Sequence, residues 1–408
     1  MTAATGTSAA PNTAPKGALD RSALMHTYPE PSVTFVRGEG SYLWDTEGRR
    51  YLDFLGGLAV TSLGHAHPVV AEALADQART LLHVSNLFGN VVGPSVAATL
   101  DRLIGGGVDR AGGQVFFTNS GAEANECALK LARKWAGPGR HVVISTADSF
   151  HGRTLATLAA TGQPAKHAPF APMPVGFEHV PYDDIDALDA GCDPSRVAAV
   201  LLEPIQGEAG VIMPSSDYLS AVRAICDERG ILLMADEIQT GLGRTGRWFG
   251  FQHTAVMPDV VTMAKALGNG VPIGACWATA EVAAAFGPGD HGSTFGGQPL
   301  ATAAAAATLA VMEAEDVPAR AARAGARLTS ALQAVDGISS VRGHGLLIGA
   351  ALESAVAGDV VAASLAAGLV VNGPRPDTVR LAPSLLVSDG EIDEAVAILT
   401  SVLSGAAP

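Results

Sequence analysis

Two short apolar runs, each closing on an ionisable residue, constrain this chain more than any other feature. Ile231-Leu-Leu-Met-Ala235 leads into Asp236-Glu237-Ile238-Gln239, and Val260-Val-Thr-Met-Ala264 leads into Lys265. Apolar runs of this length, bounded by polar or glycine-rich turns, read as buried parallel strands. In open α/β sheets ligands sit beyond the carboxyl ends of the strands, so neighbouring runs of this kind present an aspartate and a lysine to one small molecule.

Of the five lysines, Lys16, Lys130, Lys134 and Lys166 lie in polar or turn-like surroundings, whereas Lys265 follows an apolar strand and precedes Ala266-Leu-Gly268. A buried ammonium is costly, so such a lysine tends to lose its charge and become nucleophilic. Taken alone, Lys265 reads equally well as a side chain that snorkels to water at a strand end. The partnership with Asp236 tips the balance. A lysine Schiff base plus a carboxylate on the pyridinium nitrogen is what a pyridoxal phosphate enzyme requires.

At 408 residues the chain is long for one core, and 48% hydrophobic residues can fill two. The expected division is a disordered leader over residues 1–20, an N-terminal segment over 21–68, a large cofactor-binding domain over 69–299 and a small C-terminal α+β domain over 300–408. A net charge of −14, from 26 basic and 40 acidic residues, argues against nucleic acid or an anionic membrane as the main partner. Cys127, Cys192, Cys226 and Cys276 are scattered without ligand spacing and read as reduced thiols of a cytoplasmic protein. His65 and His67, before Pro68, have no third ligand nearby and read as structural, so no metal is expected.

Alternation over Tyr42–Asp45 and Arg50–Phe54 predicts short strands around the turn Thr46-Glu47-Gly48. Helices are expected near 69–82 and 93–104, then a strand over Gln114–Thr118. Ser120-Gly-Ala-Glu123 opens the next helix as a capping box, and a strand–Ser-Gly–helix junction also offers backbone N–H groups and a positive dipole end to a phosphate. Strands follow over 141–145 and 197–202, the first reaching Phe150-His-Gly-Arg153 and the second Glu203-Pro-Ile-Gln-Gly-Glu208. Phe150 can stack on a cofactor ring and Arg153 can grip a carboxylate. After a helix near 216–229 come the two central runs. This alternation predicts an α/β fold with a mostly parallel, doubly covered sheet. An alanine-rich helix is expected over 301–312, followed by strands over 345–349, 369–371 and 378–381.

Phe117-Thr-Asn-Ser-Gly-Ala-Glu-Ala-Asn125, Phe150–Arg153, Glu203–Glu208, Asp236-Glu-Ile-Gln-Thr-Gly-Leu-Gly-Arg-Thr-Gly246, Ala264–Gly268 and His291-Gly-Ser-Thr-Phe-Gly-Gly297 resemble, in order, the motifs of class III aminotransferases. The resemblance runs over about residues 25 to 400 and implies the aspartate-aminotransferase-like fold. Thr161–Lys166, Val341–Gly349 and Arg380–Leu385 narrow it to members that act on N-acetylornithine. It implies that Lys265 bonds the cofactor and moves the proton, and that Asp236 holds the pyridinium and Gln239 the phenolic oxygen. Phe150 would stack on the ring, and Ser120, Gly121 and Ala122 would hold the phosphate. Thr294 would reach the cofactor of a neighbouring subunit, making the working unit a homodimer with shared sites. Arg380 would bind the α-carboxylate of glutamate or 2-oxoglutarate and pair with Glu208 when the other substrate is present, while Arg153 would hold the carboxylate of the acylated amino acid.

Two departures, Ala209 for a common glycine and Gln298 for a frequent asparagine, leave the expected chemistry untouched. Leu58 stands where ornithine aminotransferases resemble one another in having a tyrosine, and an apolar residue there favours an acylated, uncharged α-nitrogen. Competing expectations keep the scaffold but change the substrate to ornithine, succinylornithine, N-succinyldiaminopimelate or 4-aminobutyrate. A dinucleotide binder is disfavoured because no G-x-G-x-x-G follows the first strand of a βαβ unit.

Overall fold

The protein is described by a computed structural model over residues 21–107 and 112–405, so the leader expected over 1–20 lies outside the described residues. Strands β1 (Phe35–Glu39), β2 (Tyr42–Asp45) and β3 (Arg50–Asp53) form an antiparallel ribbon. The β2–β3 turn is fixed by Asp45, whose Oδ1 accepts from Glu47 N and Arg49 N at 2.9 Å each. This is the Asx-type turn that an aspartate ahead of a glycine favours.

The central sheet contains β4 (Gln114–Thr118), β5 (Val142–Thr146), β6 (Phe177–Val180), β7 (Val197–Leu202), β8 (Leu232–Asp236), β9 (Val260–Met263) and β10 (Gly274–Ala278), in spatial order β4-β10-β9-β8-β7-β5-β6. All neighbours are parallel except β10, which runs antiparallel to both β4 and β9. The ends of β4, β5, β7, β8 and β9 therefore open on one edge, and the two central runs are adjacent, with Asp236 opposite Thr262. Their side chains divide between two cores. Leu232, Met234 and Val260 pack with helix Gly121–Ala136 on one face, whereas Leu233, Val261 and Met263 join the larger core on the other. Burial on both faces is why these strands read as unbroken apolar runs.

The C-terminal sheet is made of β11 (Ile338–His344), β12 (Leu347–Leu352), β14 (Asn372–Arg375) and β15 (Thr378–Leu381), all antiparallel, while β13 (Leu369–Val370) leaves it to pair parallel with β3. The strand expected over 345–349 begins two residues later. Gly345 adopts φ +53 and makes a tight turn from β11 into β12. The alanine-rich helix runs from Pro299 to Ala314 and buries Ala303, Ala304, Ala305, Leu309 and Met312. Its small side chains let it lie against helices Pro68–Thr80 and Val92–Ile104 and against the turn Lys265–Gly268. Among the described residues no helix is long and apolar enough to cross a membrane.

Candidate active site

The shared strand edge opens into a cavity of about 390 Å³ lined by Ser120, Gly121, Ala122, Phe150, Arg153, Glu208, Asp236, Gln239 and Lys265. Nine of the expected site residues thus meet in one place, drawn from five segments of the chain. A larger cavity of about 1170 Å³ beside helix Val317–Leu332 contains none of them.

Lys265 follows β9 in a left-handed backbone conformation, φ +40. A non-glycine residue there is strained, and such strain concentrates at functional positions. The turn is held by Asn269, also left-handed, whose Oδ1 accepts from Leu63 N at 2.8 Å and whose Nδ2 donates to Gly64 O at 3.1 Å. Burial lowers the lysine's pKa, and the Arg380 guanidinium lowers it further against the opposing pull of Glu208, Asp236 and Glu203. A lysine shifted in this direction gives up its proton more easily than a free one, which favours a nucleophile and proton carrier.

Asp236 is 3% exposed. Its Oδ2 accepts from Asn125 Nδ2 at 2.8 Å and from His151 Nδ1 at 2.7 Å, and its Oδ1 accepts from Ile238 N at 3.1 Å. Asn125 is in turn fixed by donating to His151 O and accepting from Thr262 Oγ1 at 2.7 Å. These donors fix the orientation of the carboxylate, and Oδ1 keeps capacity for a further N–H. The residues present therefore fit pyridoxal phosphate: an aspartate with a free acceptor site for the ring nitrogen, a lysine of lowered pKa, an aromatic wall at Phe150 and a helix N-terminus at Gly121.

At that N-terminus the capping reading holds in altered form. Ser120 Oγ accepts from Glu123 N at 3.2 Å, but the Glu123 carboxylate takes Asn119 N at 2.9 Å and Asn119 Nδ2 at 2.7 Å rather than the Ser120 amide. Arg380, on β15, lies behind the cavity wall at 1% exposure. Its Nη1 donates to Glu208 Oε1 at 2.7 Å, Gln239 Oε1 at 3.1 Å and Gly207 O at 3.1 Å, while Nε donates to Asn372 Oδ1. Its Nη2 is buried without a partner in the described structure. Gly207 permits this packing, since a Cβ there would lie 1.8 Å from Gln239 Oε1. For Glu208, burial works to raise the pKa, but Arg380 and Lys265 bring it below the usual carboxylate value.

Thr294 is the expected residue that the structure keeps apart. It is exposed and lines a separate cavity with Asn119, Glu123 and Phe295. Val60 lines the main cavity and Leu58 does not. Just before Val60 the chain turns left-handed over four consecutive residues, Gly56 to Ala59, leaving Leu58 at φ +70 and 42% exposed. His65 Nε2 is held by Asp53 Oδ2 at 2.7 Å.

Sequence reasoning missed Asn125, His151 and Thr262 as a network, although all three lie inside or beside quoted motifs. It also missed Lys166, whose Nζ stands 5.1 Å from the Phe150 ring centroid; burial and Arg153 lower its pKa. Glu203 is another omission. Its Oε2 accepts from Phe150 N at 3.0 Å and its Oε1 from Gly207 N at 3.3 Å, and burial pushes its pKa up to about 7.

A mostly parallel sheet that brings a lysine and a hydrogen-bonded aspartate to one cavity beside a helix N-terminus defines a pyridoxal-phosphate-dependent enzyme of the aspartate-aminotransferase-like fold. More particularly, the chain belongs to the class III aminotransferases, the family described as "Aminotransferase class-III" matching residues 24–403. It is 50% identical to an acetylornithine aminotransferase of Gloeobacter violaceus, over 93% of this chain and 96% of the relative. It is 49% identical to an acetylornithine aminotransferase of Corynebacterium efficiens, over 93% and 95% respectively. The ornithine aminotransferase of Toxoplasma gondii ME49 superposes with a TM-score of 0.89 at 37% identity, covering 95% of this chain and 93% of that one.

Proposed function

We propose that the enzyme transfers the δ-amino group of N2-acetyl-L-ornithine to 2-oxoglutarate in a ping-pong reaction, giving N-acetyl-L-glutamate 5-semialdehyde and L-glutamate, a step of arginine biosynthesis. The observation that carries this reading is the buried Arg380, paired with Glu208 yet retaining a free Nη2. Such a guanidinium can take a carboxylate when one arrives and stay neutralised when none does. The names of the acetylornithine aminotransferase relatives support the same substrate.

Pyridoxal phosphate, when bound, supplies the electron sink that allows an amino group to be detached and passed on. Asp236 would hold the pyridine N–H, Gln239 the phenolic oxygen and Phe150 the ring face. Ser120, Gly121 and Ala122 would take the phosphate, with Thr294 reaching the phosphate of a neighbouring subunit in a cytoplasmic homodimer. Lys265 Nζ, whose hold on its proton burial weakens, would remove the proton from the amine-bearing carbon of the donor and return it to the acceptor. N-acetylornithine carries its carboxylate far from the reacting δ-amine, and exposed Arg153 at the cavity wall would hold it there. Glutamate carries a carboxylate beside the reacting amine, and Arg380 would take that one as Glu208 moves aside.

A panel of donors with 2-oxoglutarate tests the assignment. N-acetylornithine should give the highest kcat/KM; a higher value with ornithine or 4-aminobutyrate would replace the proposed substrate while keeping the reaction class.

A further inference from the structure

Glu208 stands in a hairpin closed by reciprocal bonds between Gln206 and Ile212, at 3.1 and 2.9 Å. Three strands of the C-terminal sheet each send one arginine to its backbone. Arg380 on β15 donates to Gly207 O. Arg375 on β14 donates through Nε to Ala209 O at 3.1 Å, and Arg342 on β11 donates through Nε to Gly210 O at 3.0 Å and Val211 O at 3.1 Å. Arg342 is itself anchored by Thr378 Oγ1 at 3.0 Å, and Arg375 by Asp148 Oδ2 at 2.8 Å.

The hairpin is shaped to receive them. Gly210 adopts φ +104, and a Cβ there would stand 3.2 Å from Arg342 Nη2 and 3.2 Å from Arg375 Cγ. Val211 is left-handed at φ +58. A guanidinium on a carbonyl forms a charge-assisted bond with fixed direction, so these contacts immobilise backbone on the C-terminal side of Glu208 while leaving its carboxylate unclamped. The Glu208 side chain is 28% exposed against 1% for Arg380, so the carboxylate has room to swing and the guanidinium has none.

We propose that Arg342 and Arg375 are positioning residues for the reaction: they fix the hairpin so that Glu208 reaches Arg380 during the half-reaction with the acylated diamino acid and releases it to the dicarboxylate. This rests on the division of substrates between Arg153 and Arg380. Loosening the clamp lets Glu208 drift from Arg380. The guanidinium is then left uncompensated when no dicarboxylate is present, and it is more readily taken by one that arrives. The two substrates therefore respond in opposite directions, which damage to folding would not produce.

The test uses holoenzyme carrying Arg342→Gln, Arg342→Lys or Arg375→Lys, each also in a Glu208→Gln background. Each half-reaction is followed by single-turnover absorbance, and glutarate binding, which involves no turnover, is followed by calorimetry. Arg342→Gln should raise the N-acetylornithine concentration for half-maximal rate roughly tenfold, as for a misplaced catalytic contact, and tighten glutarate binding. In the Glu208→Gln background the same substitution should add less than about twofold, because the group being positioned has lost its charge. Equal losses in both half-reactions, weaker glutarate binding, or full additivity with Glu208→Gln would overturn the clamp. Where Arg342→Gln fails to fold, the lysine variants keep the charge but lose the directed Nε donation, and they face the same criteria. If Glu208→Gln alone affects both half-reactions equally, the division of substrates falls and the clamp with it; asymmetry there without a clamp effect refutes the clamp alone.

Discussion

The floor and the wall of the cavity are built on opposite principles. At the floor, Asp236 accepts from three donors, and Asn125, His151 and Thr262 hold one another in place. At the wall, Arg380 divides one nitrogen among three acceptors and leaves another empty, while Glu208 is partly exposed. The floor residues are all buried and cross-bonded, with His151 Nε2 the one of their nitrogens left without a partner in the described structure, whereas the wall sets a buried guanidinium against a carboxylate that has room to move. The floor suits chemistry common to both half-reactions, and the wall suits the exchange of one substrate for another.

The comparison breaks most severely at the floor. Lys265→Ala should lower turnover about 10⁴-fold or more in both half-reactions, since it removes nucleophile and proton carrier together. The yellow absorbance of the lysine-bound cofactor should vanish with it, and wild-type turnover would refute the assignment. Asp236→Ala comes next. Losing the carboxylate that would hold the ring nitrogen should cost on the order of 10³-fold in rate, again shared by both half-reactions. Steady-state rates and single turnovers should agree on this.

At the wall the expected losses are smaller and unequal. Arg380→Ala should slow the half-reaction with glutamate or 2-oxoglutarate by about 10²-fold more than that with N-acetylornithine, as loss of a charge-assisted carboxylate contact implies. Arg153→Ala should do the reverse. Single-turnover spectra separate the two, and equal losses would erase the distinction between floor and wall.

Glu203 joins the two regions, since it accepts from Phe150 N on one side and Gly207 N on the other. Burial, seconded by Asp236, raises its pKa to about 7 against the pull of His151 and these two amides. A carboxyl whose folded pKa lies above its unfolded value of 4.5 contributes stability that is complete below about pH 4.5 and lost as pH rises through about 7. Glu237, also raised to about 7, acts in the same sense. Glu203→Gln should therefore reduce, without abolishing, the fall in melting temperature between pH 5 and pH 8, by about 2 °C. An unchanged pH dependence would place its titration elsewhere.

The floor was the more legible region in the sequence. Strands buried on both faces announce themselves as apolar runs, so β7 has the expected bounds and Asp236 and Lys265 stand at neighbouring strand ends. Strands β6 and β10 gave no comparable signal: Phe-Glu-His-Val alternates in polarity, and Gly-Ala-Cys-Trp-Ala is short and mostly small. The wall was legible only through resemblance. Arg380 lies 172 residues from Glu208, and no local pattern announces that a β15 guanidinium will meet the hairpin that follows β7. Lys166 illustrates the same limit, because its polar sequence neighbours concealed an aromatic ring and an arginine supplied by the fold.

The pairing of β3 with β13 has a consequence in time. Leu52 N bonds Gly368 O at 2.8 Å and Phe54 N bonds Val370 O at 2.9 Å, so an edge laid down early waits for a partner translated roughly 300 residues later. At about 5–20 residues per second that delay is roughly 15–60 s. For that interval the first strands present an open edge on the nascent chain, a template for unwanted pairing until β13 emerges.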